Sequence, residues 1–411
     1  MGEAITESEI MEPTLYYERY VNETSRNPMR TRGFDPFYHF NSDTPHFELP
    51  SWKVPIDKVI ILTAFPSKET YGEYVNEKEG WVKFFLHPQF LNRTDISCAK
   101  DMSTCETLSP VIVSPTASMR TVIEQTGKDC IKLHSPIEVG LYYRGVGSTF
   151  ISHNMRVSKE LQRINLEGFG ILPDVLGISL PAIKGERRSW GYIIREMKVL
   201  PYQEGQERRR LIPGLALHGG YKYHPEKKPL LLTFIKHSRL SPKDFVLQKI
   251  MFPVLRYWIY FLLKFGYVFE PHGQNSLYEV DPYTYEIYRV IHRDLDPYVH
   301  LKTREKLGLS NENYQGQLTI GEPTEENPHG ADVSLKFDIS LGVYLESLAQ
   351  VMKEHHGIDP QVLRNGCIAY MEERLPNWNE FFSSNVYKHI PDPITKYRTV
   401  MDNSIPKWRP S

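Results

Sequence analysis

Glu270-Pro271-His272-Gly273-Gln274-Asn275, with Arg293-Asp294-Leu295 beyond it, crowds a carboxylate, an imidazole and two carboxamides into one short stretch and adds a second acid. Carboxylate and carboxamide oxygens are the usual protein ligands of a hard divalent cation such as Mg²⁺, which also takes up substrate phosphates. The stretch follows a long apolar segment, Ile250 to Leu263, broken by Arg256. Before that segment, Ser241-Pro242-Lys243-Asp244 supplies a Ser cap, a Pro at the first position and an acid in the first turn, which predicts a helix start. The helix is expected to run to about Phe265 and to end at Gly266. The apolar run is short of the roughly 20 residues that span a bilayer, so a core helix is expected and no membrane partner.

Upstream lies a cluster of the opposite kind: Ser118-Met119-Arg120-Thr121, then Lys132, then Arg144. Hydroxyls and cations are the groups that hold triphosphates and carboxylates. Cations brought onto one sheet face would repel one another unless an anion sat between them. The bland alternative is an ordinary Ser/Thr turn. For the 270–275 stretch it is a hydrogen-bonded polar turn, with His272 packing or capping. Asn275 followed by Asp294 after a hairpin also has an analogue in the way kinase sites hold two metals, although a kinase Gly-rich loop and His-Arg-Asp motif are absent. The two clusters together predict a nucleotide-dependent enzyme.

Working outward, Val59–Leu62, Val82–Leu86, Val111–Val113, Cys130–Leu133, Ile137–Tyr142 and Tyr192–Glu196 are short, apolar and β-branched or aromatic, as strands are. No long helix is predicted between them, so the middle of the chain is expected to be mainly antiparallel sheet. Leu230–Ile235 is taken as a last strand. Ser334–His356 and Pro360–Leu375 have helical spacing, and a hairpin is expected near Glu279–Ile291. The fold class is therefore α+β, with an N-terminal arm over 1–57, a sheet-rich phosphate-binding region over 58–240 and a helical metal-binding region over 241–411. His87-Pro88-Gln89 is taken as a structural turn. Asn27–Phe34, with Arg30 and Arg32, is a basic loop that is either solvated or a flap closing over phosphates.

The 411 residues carry 40% hydrophobic, 12% aromatic and 24% charged side chains and a net charge of −1. That is ordinary for a globular protein and gives no global electrostatic case for nucleic acid or anionic membrane. Cys98, Cys105, Cys130 and Cys367 have neither zinc spacing nor the density of a disulfide framework, so free thiols in a reducing cytoplasm are expected. Residues 1–12 have neither the basic start nor the apolar core of a signal peptide. The patterns at Asn22-Glu23-Thr24 and Asn92-Arg93-Thr94 are then chance matches to the glycosylation rule.

At these residues the chain resembles the siderophore synthetases that work independently of nonribosomal peptide synthetases, the aerobactin-synthetase-like family. The family's Ser-x-Arg-Thr block looks like Thr116–Thr121. Its lysine twelve residues after the arginine matches Lys132, and its arginine twelve further on matches Arg144. Its Glu-x-His-Gly-Gln-Asn block is Glu270–Asn275 and its Arg-Asp-Leu is Arg293–Leu295. The family's His-Pro-Trp-Gln turn looks like His87-Pro88-Gln89 without the Trp, and its early basic block resembles Asn27–Phe34. The resemblance implies a cupped-hand fold of thumb, fingers and palm, with ATP between fingers and palm, and activation of a citrate-like acid as an acyl-adenylate. An amine or alcohol then attacks, in siderophore or related natural-product biosynthesis.

In that scheme Ser118, Arg120, Thr121 and Lys132 bind phosphates, helped by Gln274, Arg30 and Arg32. Glu270, Asn275 and Asp294 hold Mg²⁺, and Arg144 and His272 hold the substrate carboxylate, with Lys132 also counted among the catalytic groups. The chain departs from the family in a shortened N-terminal thumb, in Asn27 for His, in Arg30 for Lys, and in Gly140 where a Thr often stands. A kinase-like phosphotransferase and a non-catalytic nucleotide-binding relative are the rival readings. A homodimer is left open.

Overall fold

The computed structural model describes residues 13–22, 34–91, 102, 104–135, 138–139, 142–143, 145–181, 189–311, 319–320, 332–392, 396–402 and 406–410. They form two compact units. The first takes the described residues of 1–20, 29–164 and 172–202, and the second those of 21–28, 165–171 and 203–411. Arg30, Arg32, Gly140 and Arg144 lie outside the described residues, as does Cys98.

The first unit is built on a nine-stranded sheet. In chain order its elements are helix α1 (Pro13–Tyr20), strands β1 (Phe47–Pro55) and β2 (Ile60–Thr63), helix α2 (Lys68–Tyr74), strands β3 (Val75–Asn76), β4 (Trp81–Phe85), β5 (Glu106–Pro115), β6 (Thr121–Glu124) and β7 (Asp129–Leu133), helix α3 (Ser148–Leu161), and strands β8 (Asp174–Ser179) and β9 (Gly191–Glu196). The order is β2-β8-β9-β7-β6-β5-β1-β4-β3 and every pairing is antiparallel. The antiparallel sheet expected for the middle of the chain is present.

Alternation sorts the side chains of these strands onto two faces. Val122, Ile131, Leu133, Leu176, Ile178, Tyr192 and Ile194 join Trp52, Val82 and Phe84 in one large buried core. The opposite face carries a row read across the strands: Leu62, Gly177, Ile193, Lys132 and Thr121. Helix α3 lies on this row, since a Cβ on Gly177 would stand 2.0 Å from Ile151 Cγ2. Gly177 is what lets helix and strand approach so closely.

Helix α3 corrects the expectation that no long helix separates the strands. Its buried face mixes Ile151, Met155, Val157 and Leu161 with His153, Asn154 and Ser158, which blurs the apolar stripe. The expected arm over 1–57 likewise hides a strand. Phe47–Pro55 pairs with both β4 and β5, and a register shift between Leu49 and Ser51 accommodates Pro50. Pro within a run argues against a strand unless it sits at an edge or an irregularity, which is why the reading failed there.

The second unit contains strand β10 (Arg210–Pro213), helices α4 (Leu215–His218) and α5 (Leu230–His237), the helical segment α6 (Pro242–Phe265), strands β11 (Tyr267–Val268), β12 (Ser276–Val280), β13 (Ile287–His292) and β14 (Tyr298–His300), and helices α7 (Val333–Lys336), α8 (Val343–His356) and α9 (Pro360–Arg374). A four-stranded sheet runs in the order Phe169–Ile171, β13, β12, β10. The predicted helices and the β12–β13 hairpin are all present.

Leu230–Ile235, read as a strand, is helical. Its buried residues Leu230, Leu231, Phe234 and Ile235 follow helical spacing, and a short apolar run bounded by Pro does not distinguish the two forms. Segment α6 starts on the Ser241 cap and ends at Gly266, which adopts φ +64°. By length and composition it could cross a membrane, but more than half of it is buried. Tyr257, Trp258, Phe261 and Leu262 fill the core of the unit.

Cys367 is a free, buried thiol.

Candidate functional site

The anion-binding candidates lie where β5 turns into β6. Thr116 closes the turn, its N–H and hydroxyl both donating to Thr121 O at 3.0 and 2.9 Å. Ser118 Oγ accepts from Thr121 N at 3.1 Å, so the Ser/Thr turn foreseen as the bland alternative is present. Met119, a non-glycine residue, adopts φ +62° at its tip. Such strain persists where surrounding structure imposes it and concentrates at functional sites. Part of the restraint comes from Glu18 on α1, fully buried, whose Oε1 accepts from Ala117 N at 3.2 Å.

Arg120 O accepts from Leu133 N at 2.8 Å, and Thr121 then pairs across the hairpin with Lys132. Arg120 Cζ and Lys132 Nζ stand 5.8 and 4.8 Å from the centre of the Phe150 ring on α3. Arg120, Thr121 and Lys132 are thus brought together on one sheet face, all buried. The ring offers each cation a favourable face.

One row along the same face, Arg195 Nε meets Asp174 Oδ1 at 2.7 Å in a buried ion pair. Phe150, Glu18 and the Arg195–Asp174 pair escaped the sequence reading because only register and helix packing place them here.

The hairpin that positions Thr121 and Lys132 carries a buried acid pair on its other face. Glu124 ends β6 and Asp129 begins β7, and the Tyr74 hydroxyl lies 2.6 Å from Glu124 Oε1 and 3.3 Å from Asp129 Oδ2. Burial, reinforced by Glu124, pushes the Asp129 carboxyl up to about 7 from its ordinary 3.8, with Lys128 opposing; burial raises Glu124 as well. Between about pH 4 and 7 the native state therefore holds a proton that the unfolded chain has lost. The associated stability is complete at the acid end of that window and is lost as pH rises towards 7. Asp129→Asn should flatten this part of the profile. Thermal melts from pH 4.5 to 8 test it, and parallel profiles for variant and wild type would refute the assignment.

The second cluster follows α6. A Cβ on Gly273 would meet Leu215 N at 2.7 Å, and Gly273 O accepts from that N–H at 2.8 Å, so the loop passes too close to α4 for any side chain. His272 O accepts from the N–H groups of Asn275 and Ser276, and His272 Nδ1 accepts from Gln274 N at 3.3 Å. That bond places the imidazole proton on Nε2. Asn275 Nδ2 donates to Glu270 O at 3.2 Å, and Asn275 O accepts from Arg293 N at 3.1 Å. The second contact brings Asp294, at φ +73°, beside the loop. These bonds place the backbone of Asp294 next to the loop that runs from Glu270 to Asn275. Behind them, the Tyr257 hydroxyl bridges Ser276 Oγ at 3.0 Å and His292 Nδ1 at 3.2 Å.

This donor set fits a hard divalent cation. Glu270 and Asp294 offer carboxylates, and turning the Asn275 nitrogen to Glu270 O leaves its carboxamide oxygen for a metal. Among the described residues no three His, Cys, Asp or Glu side chains gather as a metal-binding group. Mg²⁺ held by one or two carboxylates with substrate phosphates needs no such group. The sequence reading missed Lys336, whose Nζ lies 3.7 Å from Glu270 Oε1; it stood inside a segment read only as helix. Burial lowers its pKa, and Glu270 raises it.

His87 is buried among Phe34, Tyr38, Phe47 and Phe90 and caps the turn that follows, and burial lowers its pKa to about 3. A structural turn is what the sequence indicated.

No family model matches the chain, and no curated protein matches it either. Solved structures do. The petrobactin biosynthesis protein AsbB from Bacillus anthracis str. Sterne superposes with a TM-score of 0.66 at 13% identity, over 90% of this chain and 71% of that one. The aerobactin synthetase IucC from Klebsiella pneumoniae gives 0.64 at 14% identity, over 89% and 71%. The ATP-bound aerobactin synthetase IucA from the same species gives 0.62 at 14%, over 92% and 73%. The chain therefore shares an architecture of antiparallel sheet and helices with these siderophore synthetases.

Proposed function

We propose that this chain is an ATP- and Mg²⁺-dependent ligase that activates a small carboxylic acid as its adenylate and joins it to an amine or alcohol. The observation that carries the reading is the convergence of Arg120, Thr121 and Lys132 on one sheet face beside Phe150. Adenylation places charge on the α-phosphate and expels pyrophosphate, and fixed cations aimed at that charge stabilise the transition state. Glu270, Asn275 and Asp294 would hold Mg²⁺, which supplies further charge neutralisation at the phosphates. His272, with its proton on Nε2, can donate to a substrate carboxylate oxygen. Arg144 is proposed as the planar fork on that carboxylate, with Gln274, Arg30 and Arg32 assisting at the nucleotide. Siderophore assembly is the setting that the fold neighbours favour.

The test is product analysis. Incubation with Mg²⁺, ATP and a panel of small carboxylic acids, each with an amine or alcohol acceptor, should release pyrophosphate and AMP in an acid-dependent manner. Release of ADP with a phosphorylated product would establish the phosphotransferase instead. Calorimetry showing no ATP binding with Mg²⁺ present would overturn both.

A further inference from the structure

Lys336 ends helix α7, and that helix is firmly held. Asp332 caps it, Oδ1 accepting from Ser334 N at 2.8 Å, while the hydroxyls of Ser383 and Tyr387 both donate to Asp332 Oδ2. The lysine is 5% exposed. Its Nζ sits 3.5 Å from the centre of the Tyr298 ring and 3.7 Å from Glu270 Oε1. Tyr298 in turn pairs with Val268, two residues before Glu270. The ammonium group is therefore fixed from two sides against the carboxylate.

We infer that Lys336 acts as a resident cation on Glu270 and makes divalent-metal binding conditional on nucleotide. The inference rests on Glu270 being a metal ligand. An ammonium already neutralising that carboxylate leaves little net negative charge to attract a free divalent ion, and its own charge repels one. A nucleotide triphosphate brings several negative charges with it, which outweigh a single lysine. Metal then enters with the nucleotide rather than before it, so an empty protein does not fill with adventitious cations. The Tyr298 ring stabilises the ammonium face-on wherever the carboxylate turns, so Glu270 can exchange one cation for another without stranding the lysine.

The experiment uses the full chain and Mn²⁺ alone as probe, with free Mn²⁺ read by paramagnetic resonance. Wild type should bind Mn²⁺ only weakly without ATP. Lys336→Met, which keeps the side-chain volume and removes the charge, should bind at least tenfold more tightly, and adding Glu270→Gln should abolish the gain. Lys336→Arg should behave as wild type. Equal Mn²⁺ affinity in wild type and Lys336→Met overturns the inference, as does an equal gain in Lys336→Arg, which would mark a packing effect. So does a loss of ATP affinity in Lys336→Met without any gain in Mn²⁺, which would place the lysine on the nucleotide. The metal reading itself is checked separately by Mn²⁺ binding in the presence of ATP. If Asp294→Asn and Glu270→Gln both retain wild-type binding there, that reading fails and this inference falls with it.

Discussion

Asp294→Asn is expected to lower turnover by at least about 100-fold, or about 2.7 kcal/mol of transition-state stabilisation at 1.36 kcal/mol per tenfold. Two features make it a clean substitution. Asp294 adopts φ +73°, a left-handed conformation that Asn tolerates nearly as well as Asp and that Ala or a branched residue does not. It is also only half-buried, so the exchange puts no new polar group into the core. On the proposed metal role, what is lost is one negative oxygen toward a metal whose stabilisation of phosphoryl charge is worth several kcal/mol. Raising Mg²⁺ should recover part of the loss, because a weakened site is refilled by mass action. The variant should melt with wild type. Turnover unchanged at limiting Mg²⁺ would remove Asp294 from the metal set.

Glu270→Gln should cost as much in turnover and more in stability. Its carboxylate faces the buried Lys336 ammonium, and a buried charge that loses its counter-charge is destabilising. The contrast between the two variants separates chemistry from packing: a shared loss of activity with unequal melting is expected.

The candidate-site stretches were legible because polar residues at fixed short spacing need only local structure to meet. Glu270, His272 and Asn275 are joined by bonds within one loop, and Ser118 and Thr121 by a single turn. What sequence could not supply is register. That Lys132 stands opposite Thr121, and that Ile193 and Gly177 continue the row under α3, depends on the register of three strand pairings, one of which, Ile193 with Lys132, joins strands far apart in sequence. Lys336 was hidden for the same reason, since only tertiary packing brings residue 336 to residue 270. Helix α3 and strand β1 were missed on different grounds, one through polar residues buried on its inner face and one through Pro50 sitting at an irregularity.

Register also exposes a buried ion pair within the sheet. Asp174 and Arg195 face each other on β8 and β9 and are almost wholly buried, with Nε to Oδ1 at 2.7 Å. Asp174 Oδ2 is buried with no hydrogen-bond partner among the described residues, so the carboxylate relies heavily on the guanidinium. Asp174→Asn would remove the Asp174 charge from Arg195, and breaking a buried pair from one side costs about 3–5 kcal/mol. At roughly 2–4 °C per kcal/mol for a domain of this size, melting should fall by roughly 6–20 °C. Replacing both residues, Asp174→Leu with Arg195→Met, should restore much of that loss, because apolar side chains of similar volume often match or exceed a buried pair. Nucleotide affinity should separate the two roles of this face. The doubly substituted protein keeps Arg120 and Lys132 and should still bind ATP if those two cations are the ones that matter. If it is stable yet has lost ATP, Arg195 belongs to the anion site as well, and the ion pair with Asp174 is what holds its guanidinium there.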